Sequence, residues 1–149
     1  SRRELVGFIQ SRLVGAPSVF TSGADIRVAY EEGDTRSLNL LADEIRLAQN
    51  LIGPHRDDFD IRFNDQSARK FTSRGQARAI VILLKLAEAA YIAAQTKNEP
   101  WILLDDMFSE LDQPTSATLF EQFPDSYPII ATSIAPNPLV TAWETINLS

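Results

Sequence analysis

The chain has 149 residues, of which 44% are hydrophobic, and this is enough for one domain with its own core. It contains no cysteine, which excludes disulfides and thiolate metal centres, and its one histidine argues against a histidine-based metal site. The net charge is −6, yet all 14 Lys and Arg residues lie at or before Lys97, so contacts to nucleic-acid phosphates should come from the first two thirds. No apolar run approaches membrane-spanning length and no signal peptide is visible, so we expect a cytoplasmic protein without a membrane partner.

The first 52 residues predict a helix, a strand and a second helix. Apolar residues recur at helical spacing up to Leu13, and Gly15-Ala16-Pro17 ends that helix. Apolar and polar residues then alternate between residues 19 and 30, which predicts a half-buried strand with these residues on its buried face: Ile26, Val28 and Tyr30. An acidic turn leads into a second helix at about residues 34–50.

A polar loop follows at residues 53–58, with the sequence Gly-Pro-His-Arg-Asp-Asp. Its Gly-Pro step and its adjacent opposite charges indicate a fixed turn. Arg56 could pair with the neighbouring aspartates or reach a phosphate. His55 could contact phosphate or DNA, although a lone histidine more often has a structural hydrogen-bonding role.

A strand and a basic segment come next. Residues 59–63 alternate as a strand does, and residues 64–67 predict a turn into a hairpin that returns through residues 69–71. Residues 69–78 contain no acidic residue and these four cations: Arg69, Lys70, Arg74 and Arg78. Cations are unfavourable near a helix start, so we favour a patch that binds nucleotide phosphate or DNA over a merely solvated face.

Ser73 is predicted to cap a long helix that runs from about Gly75 to Gln95. The glycine lets the backbone approach another group closely, and the amides of the first turn would face an anion with the helix dipole behind them. Taken alone, Ser73-x-Gly75-Gln76 is more often an ordinary capped helix. The apolar stripe of this helix is broad, which predicts burial on most of its surface.

A short apolar strand ends in two carboxylates. Residues 101–104 read Trp-Ile-Leu-Leu between Pro100 and the pair Asp105-Asp106, as in a strand covered on both faces of an α/β sheet. Ligands bind at the carboxyl ends of such strands. In phosphoryl-transfer sites the first carboxylate commonly holds Mg²⁺, and a second can orient or deprotonate a water. For so short a pattern, a solvated turn is an equally good interpretation.

The remaining residues predict a helix and two strands. Asp112 is the expected N-cap of a short helix that has Pro114 in its first turn and stops at Pro124. Residues 127–132 predict another buried strand, and residues 143–148 a last one. The two tryptophans are expected in the core or packed at its edge: Trp101 and Trp143.

Three segments in this order are far more specific than any one of them: Ser73-x-Gly75-Gln76, the strand ending in Asp105-Asp106, and Ser109-Glu110-Leu111-Asp112. They resemble the signature motif, the Walker B strand and the D-loop of ABC-type ATPases. Together with the loop at 53–58 they resemble RecF, a family of bacterial DNA repair ATPases, over roughly residues 24–132. The resemblance implies an α/β fold in which residues 53–149 form the signature and Walker B lobe of an ABC-type ATPase head, and residues 1–52 form the base of a helical arm or lid region.

The resemblance also implies roles for single residues and partners for the whole protein. Asp105 would hold Mg²⁺, and Asp106 would position or activate water. The signature residues would face the γ-phosphate of ATP bound to a second subunit, and Asp112 would cross the interface of this ATP-dependent homodimer. RecF-like proteins are implied to bind DNA at gaps and single-strand–duplex junctions in recombinational repair, replication restart and the SOS response, with RecO and RecR partners. The signature residues and the candidate DNA or phosphate contacts are these: Ser73, Gly75 and Gln76; Arg56, Arg69, Lys70, Arg74 and Arg78.

The sequence departs from the ATPase pattern in two places. The P-loop pattern G-x-x-x-x-G-K-[ST] does not occur, so we expect half of a nucleotide site, inactive alone, in the carboxyl-terminal portion of a longer protein. Ser133 stands where ABC transporters carry a switch histidine, so a γ-phosphate sensor of the histidine type is not expected. Asp106 stands where most ABC proteins carry glutamate, so hydrolysis would be slow. The alternative function is a non-catalytic module, either an SMC-like structural head or a protein-interaction domain, and an upstream sequence without a P-loop would favour it.

Overall fold

The computed structural model describes residues 1–14, 19–20, 24–31, 58–106, 109 and 111–132. The elements in chain order are α1 (Arg2–Leu13), β1 (Ile26–Glu31), β2 (Asp58–Phe63), β3 (Gln66–Ser67), α2 (Ala68–Phe71), α3 (Arg74–Thr96), β4 (Ile102–Asp105), α4 (Gln113–Phe120) and β5 (Ile129–Thr132). The strands form an antiparallel sheet in the order β1-β2-β3 and a parallel pair, β4-β5. This mixture of helices and sheets confirms the predicted α/β class.

Several sequence predictions lie outside the described residues: the helix at 34–50, the strand at 143–148, the end of the first helix at 15–17, and the roles of His55, Arg56, Ser133 and Trp143. Among the described residues, no helix is both long enough and apolar enough to cross a bilayer. One core cluster joins residues of both predicted segments, from Ile9 to Phe123, and the boundary near residue 52 stays a prediction.

Helix α1 is held against β1 by apolar contacts and by one polar side chain. Ile9 and Leu13 are buried, as the helical spacing predicts. The Oε1 atom of Gln10 accepts a hydrogen bond from the Val28 N–H at 2.6 Å, and its Nε2 donates to the Ile26 carbonyl at 3.3 Å. Gln10 thereby binds β1 much as a short strand would, and fixes the helix along it.

The turn between β2 and β3 confirms one prediction and corrects another. Asn64 and Asp65 have φ values of 51° and 62°, which suits a two-residue hairpin turn with left-handed backbone. The predicted return strand through residues 69–71 is wrong, because β3 ends at Ser67 and residues 68–71 form helix α2. A helical turn buries Ala68, and its carbonyl accepts hydrogen bonds from both the N–H and the hydroxyl of Thr72.

Helix α3 contributes the largest share of the core, with these buried residues: Ala79, Ile80, Ile82, Leu83 and Ala87. The ring of Tyr91 meets the ring of Phe8 edge to face at 5.4 Å, which joins α3 to α1. The predicted burial on most sides is nevertheless too extensive, since Val81 is 54% exposed and Ile92 is 44% exposed.

The parallel pair β4-β5 has one apolar face that is exposed among the residues that the structure describes. Leu104 is buried, but Leu103 is 73% exposed and Ile130 is 51% exposed. The predictions that β4 is covered on both faces and that 127–132 is a buried strand are therefore wrong for this chain, because its described elements pack against only one face. Trp101 is also exposed rather than part of the core.

Candidate functional site

The carboxyl ends of β4 and β5 place two carboxylate residues beside one threonine. Asp105 and Thr132 are register partners in the parallel pair, and the Thr132 hydroxyl donates to Asp105 Oδ1 at 2.6 Å. The Asp106 N–H lies 3.1 Å from Thr132 Oγ1 and 3.2 Å from the Thr132 carbonyl oxygen. Thr132 thus binds the side chain of the first aspartate and the backbone of the second.

Asp106 leaves the strand in a left-handed conformation, with φ 43°. Aspartate and asparagine tolerate this region better than other residues with a side chain, since their short polar groups bond locally. The Asp106 carbonyl accepts hydrogen bonds from the Ser109 hydroxyl at 3.0 Å and from Arg78 Nη1 at 3.3 Å. Arg78 Nη1 also donates to Ser109 Oγ at 3.3 Å. The turn after the two carboxylates is therefore tied to helix α3.

The start of α3 is a capping box, which confirms Ser73 as the N-cap. The Gln76 N–H donates to Ser73 Oγ at 3.2 Å, and the Ser73 N–H donates to Gln76 Oε1 at 2.9 Å. The first turn contains no acidic residue and begins with Arg74. The other amides of this turn point out of the helix start, and with the helix dipole they favour an anion. Gly75, in the same turn, is half-buried.

Helix α3 carries both Arg78, which contacts the turn at Asp106, and the cap residue Ser73 at its start. Arg78 follows Ser73 by five positions, about 7.5 Å along the helix axis. Arg78 therefore connects the start of α3, which Ser73 caps, to the end of β4, where Asp105 and Asp106 lie. This contact can hold the strand end at a fixed distance from the helix start.

Asp112 lies beyond the turn and confirms its predicted cap role. Its Oδ1 accepts a hydrogen bond from the Thr115 N–H at 2.8 Å, and Pro114 occupies the first turn of α4. That hydrogen bond lowers the pKa of the Asp112 carboxyl below its ordinary value. The residue is fully exposed, and α4 ends at Phe120, short of the predicted stop at Pro124.

The predicted basic patch separates into two environments. Arg69, Lys70 and Arg74 are exposed, and none of them forms an ion pair with another described residue. Arg78 is half-buried and bonded to the turn at Asp106. Phe71, to which the sequence pattern assigned no role, is 63% exposed within the patch and is an aromatic surface of the kind on which nucleic-acid bases stack.

Thr132 was also overlooked, because its contact with Asp105 joins residues 27 positions apart. The available signal was a polar residue at the last position of a predicted parallel strand. Among the residues that the structure describes, no group of three His, Cys, Asp or Glu side chains gathers in one place. Mg²⁺ is usually bound through one or two carboxylates plus phosphates and waters, and Asp105 can supply that carboxylate.

Part of the chain is similar in sequence to proteins of known family. No protein-family model matches the chain. The DNA replication and repair protein RecF of Thermosynechococcus vestitus is 42% identical over 94 residues, 63% of this chain and 25% of that protein. RecF of Moorella thermoacetica is 49% identical over 78 residues, 52% of this chain and 21% of that protein. RecF of Lactobacillus johnsonii is 40% identical over 105 residues, which are 69% of this chain and 28% of that protein.

Solved structures give the same answer for the fold. The recombination mediator protein RecF-ATP of the RecFOR pathway matches with a TM-score of 0.66 and 23% identity, over 90% of this chain and 40% of that one. RecF-ATPrS of the same pathway matches with a TM-score of 0.57 and 24% identity. The chain thus spans about a quarter of the length of the curated relatives it matches. In sequence and in fold, it corresponds to the carboxyl-terminal portion of the RecF family.

Proposed function

We propose that this chain supplies the signature, Walker B and D-loop half of a composite ATP site in a RecF-like, ATP-dependent DNA-binding protein. The observation that carries the proposal is the link from Arg78 to the Asp106 turn, because it fixes the two carboxylates to the helix that Ser73 caps. The similarity to RecF sequences, and to the fold of RecF-ATP, supports the choice of ligand. The P-loop would come from sequence outside this chain.

The strand end would act on the phosphoryl group of ATP. Asp105 would hold Mg²⁺, which neutralises negative charge that develops during transfer. Asp106 would position the attacking water or accept its proton. Aspartate is one methylene shorter than the glutamate usual in ABC proteins, so we expect slow hydrolysis.

The helix start would serve the ATP held by a second subunit. The outward amides near Ser73 and Gly75 complement a γ-phosphate. Ser73 Oγ accepts from the Gln76 N–H and still has its own proton to donate. The side chain of Gln76 closes the capping box, so its part is to shape this loop. Asp112 would cross the interface between the two subunits.

The exposed patch would contact DNA. Arg69, Lys70 and Arg74 can neutralise phosphates without giving up an ion pair to another described residue, and Arg56 would add a further cation. The family resemblance extends this to DNA gaps and single-strand–duplex junctions in recombinational repair, replication restart and the SOS response, with RecO and RecR as partners in the cytoplasm.

Mixing two inactive subunits of the full-length protein tests the composite site. One carries Ser73→Arg, which places bulk and charge where the γ-phosphate should dock, and keeps its P-loop. The other has a disabled P-loop and the native serine. Each homodimer should be inactive, while mixed dimers regain up to about half of the native hydrolysis per dimer, because one of their two sites is whole.

The matched control is Ser11→Arg, an equal change at an exposed serine on α1, which should hydrolyse ATP normally. A titration that restores nothing, once subunit exchange has been demonstrated, would reject the composite site. Absence of hydrolysis in the unmodified full-length protein would instead favour a non-catalytic head.

A further inference from the structure

The hydroxyl group of Thr132 has one proton to donate, and the groups around it determine which acceptor receives that hydrogen bond. The Asp106 N–H can only donate, so it makes Thr132 Oγ1 an acceptor at 3.1 Å. The hydroxyl proton is then directed to Asp105 Oδ1, where the separation of 2.6 Å is that of a charge-assisted hydrogen bond. The direction of donation is therefore fixed by the structure.

This bond occupies one oxygen of the carboxylate and leaves the other for a ligand. Among the described residues, Asp105 accepts no other side-chain hydrogen bond. The register of the parallel pair places Asp105 opposite Thr132, so the backbone itself brings the hydroxyl to the carboxylate. The β-branched side chain of threonine restricts rotation about χ1, which keeps the hydroxyl in place.

Stability alone is a poor explanation for the contact. Asp105 and Thr132 are both exposed, and a hydrogen bond in that setting adds little to folding because water would replace it. For a carboxylate that must present one oxygen to a metal, such a hydrogen bond has a larger effect, since groups that orient metal ligands typically change metal affinity 10- to 100-fold.

We propose that Thr132 is the positioning residue of the metal-binding carboxylate: its hydroxyl orients Asp105 so that Oδ2 meets the Mg²⁺ of the bound nucleotide. This inference rests on the proposed function, in which Asp105 binds that ion. Thr132 acts through Asp105 and touches neither nucleotide nor metal.

The test compares Thr132→Val, which keeps the shape and removes the hydroxyl, with Thr132→Ser, which keeps the hydroxyl. Mn²⁺ replaces Mg²⁺, and its binding to the full-length protein with a non-hydrolysable ATP analogue is measured by electron paramagnetic resonance. We expect Thr132→Val to weaken Mn²⁺ binding about 10- to 100-fold and Thr132→Ser to stay near the native affinity. Binding of the analogue without metal should be the same in all three proteins. If Thr132→Val does not fold, Thr132→Ala replaces it.

Asp105→Ala is measured in parallel to separate two failures. If Asp105→Ala loses Mn²⁺ and Thr132→Val does not, the inference about Thr132 is overturned while the metal role of Asp105 stands. Equal weakening by valine and serine overturns it as well, because the hydroxyl would then be irrelevant. Unchanged Mn²⁺ binding in Asp105→Ala overturns the proposed metal site itself.

Discussion

Replacing Arg78 tests whether this residue holds the turn at Asp106 or binds phosphate. Arg78→Met keeps an apolar stem in the half-buried position and removes the guanidinium that bonds Asp106 and Ser109. Arg74→Met makes the same change at an exposed cation one turn earlier on α3 and serves as the matched control. We expect the first variant to impair hydrolysis and the second to impair DNA binding.

The expected fall in hydrolysis in Arg78→Met follows from the lengths of the hydrogen bonds that the substitution removes. Hydrogen bonds from a charged donor contribute about 1.5–3 kcal/mol, and the bonds from Arg78 to Asp106 and Ser109 are each 3.3 Å long, so the lower part of that range applies. If the turn is held less firmly by about 1.5–2 kcal/mol, the ratio of turns with Asp106 in place to turns with Asp106 displaced falls roughly 10- to 30-fold. The rate of hydrolysis should fall by up to this factor, and by the full factor where the displaced turn predominates. The midpoint of thermal unfolding should move down by about 3–8 °C in a protein of roughly 150–250 residues, and by less in a longer one.

Hydrolysis is measured as phosphate release from the full-length protein, and DNA binding as fluorescence anisotropy of a gapped duplex over a range of salt. Arg74→Met should reduce the salt slope by about 0.9, the value for one lost phosphate contact, and Arg78→Met should leave it unchanged. Normal hydrolysis in Arg78→Met, together with a slope reduced by that amount, would refute the reasoning and return Arg78 to the phosphate contacts.

Three further outcomes are expected. Asp106→Asn keeps a side chain that tolerates the left-handed backbone, so the protein should still bind ATP but hydrolyse it about 10²- to 10⁴-fold more slowly; normal turnover would show that Asp106 is not the base. Gln10→Ala leaves two backbone groups of β1 without their partner and should lower the free energy of unfolding, measured in urea titrations, by about 1–3 kcal/mol. The control Ser11→Ala should change it by less than about 0.5 kcal/mol, and equal effects of the two substitutions would contradict the role of Gln10. The folded-state pKa of Asp112 is lowered, so its cap stabilises the fold above the ordinary aspartate pKa of about 4 and is lost as pH falls through the lowered value. Asp112→Asn should therefore make unfolding less dependent on pH below about 5, and an unaltered pH profile would argue against this contribution.

Local features were the predictable ones. Three of them depend only on residues within four positions of one another, so the local sequence predicts them: the cap at Ser73, the turn at Asn64-Asp65 and the cap at Asp112. Residues 69–71 were mistaken for a strand, because the preceding turn suggested a longer hairpin than the chain forms.

Long-range features were less accessible. The apolar run before Asp105 shows that a strand forms but not which of its faces this chain covers, and Leu103 proved exposed. The contact between Thr132 and Asp105 depends on the register of two parallel strands, which no local pattern specifies. The four cations of the basic patch look equivalent in sequence, and only the fold distinguishes Arg78 from the others.

The open face of β4-β5 gives the chain two regions of unequal local stability. Strand β1 packs against α1 and pairs with β2 along its length, so its amide hydrogens should exchange slowly, whereas a two-stranded pair with Leu103 and Ile130 in water should open more often. Asp105 and Thr132 lie at the end of that more labile pair. Any structure that covers Leu103 would therefore also slow the opening of the strand ends, and in this way burial of an apolar face would rigidify the carboxylate on the same strand.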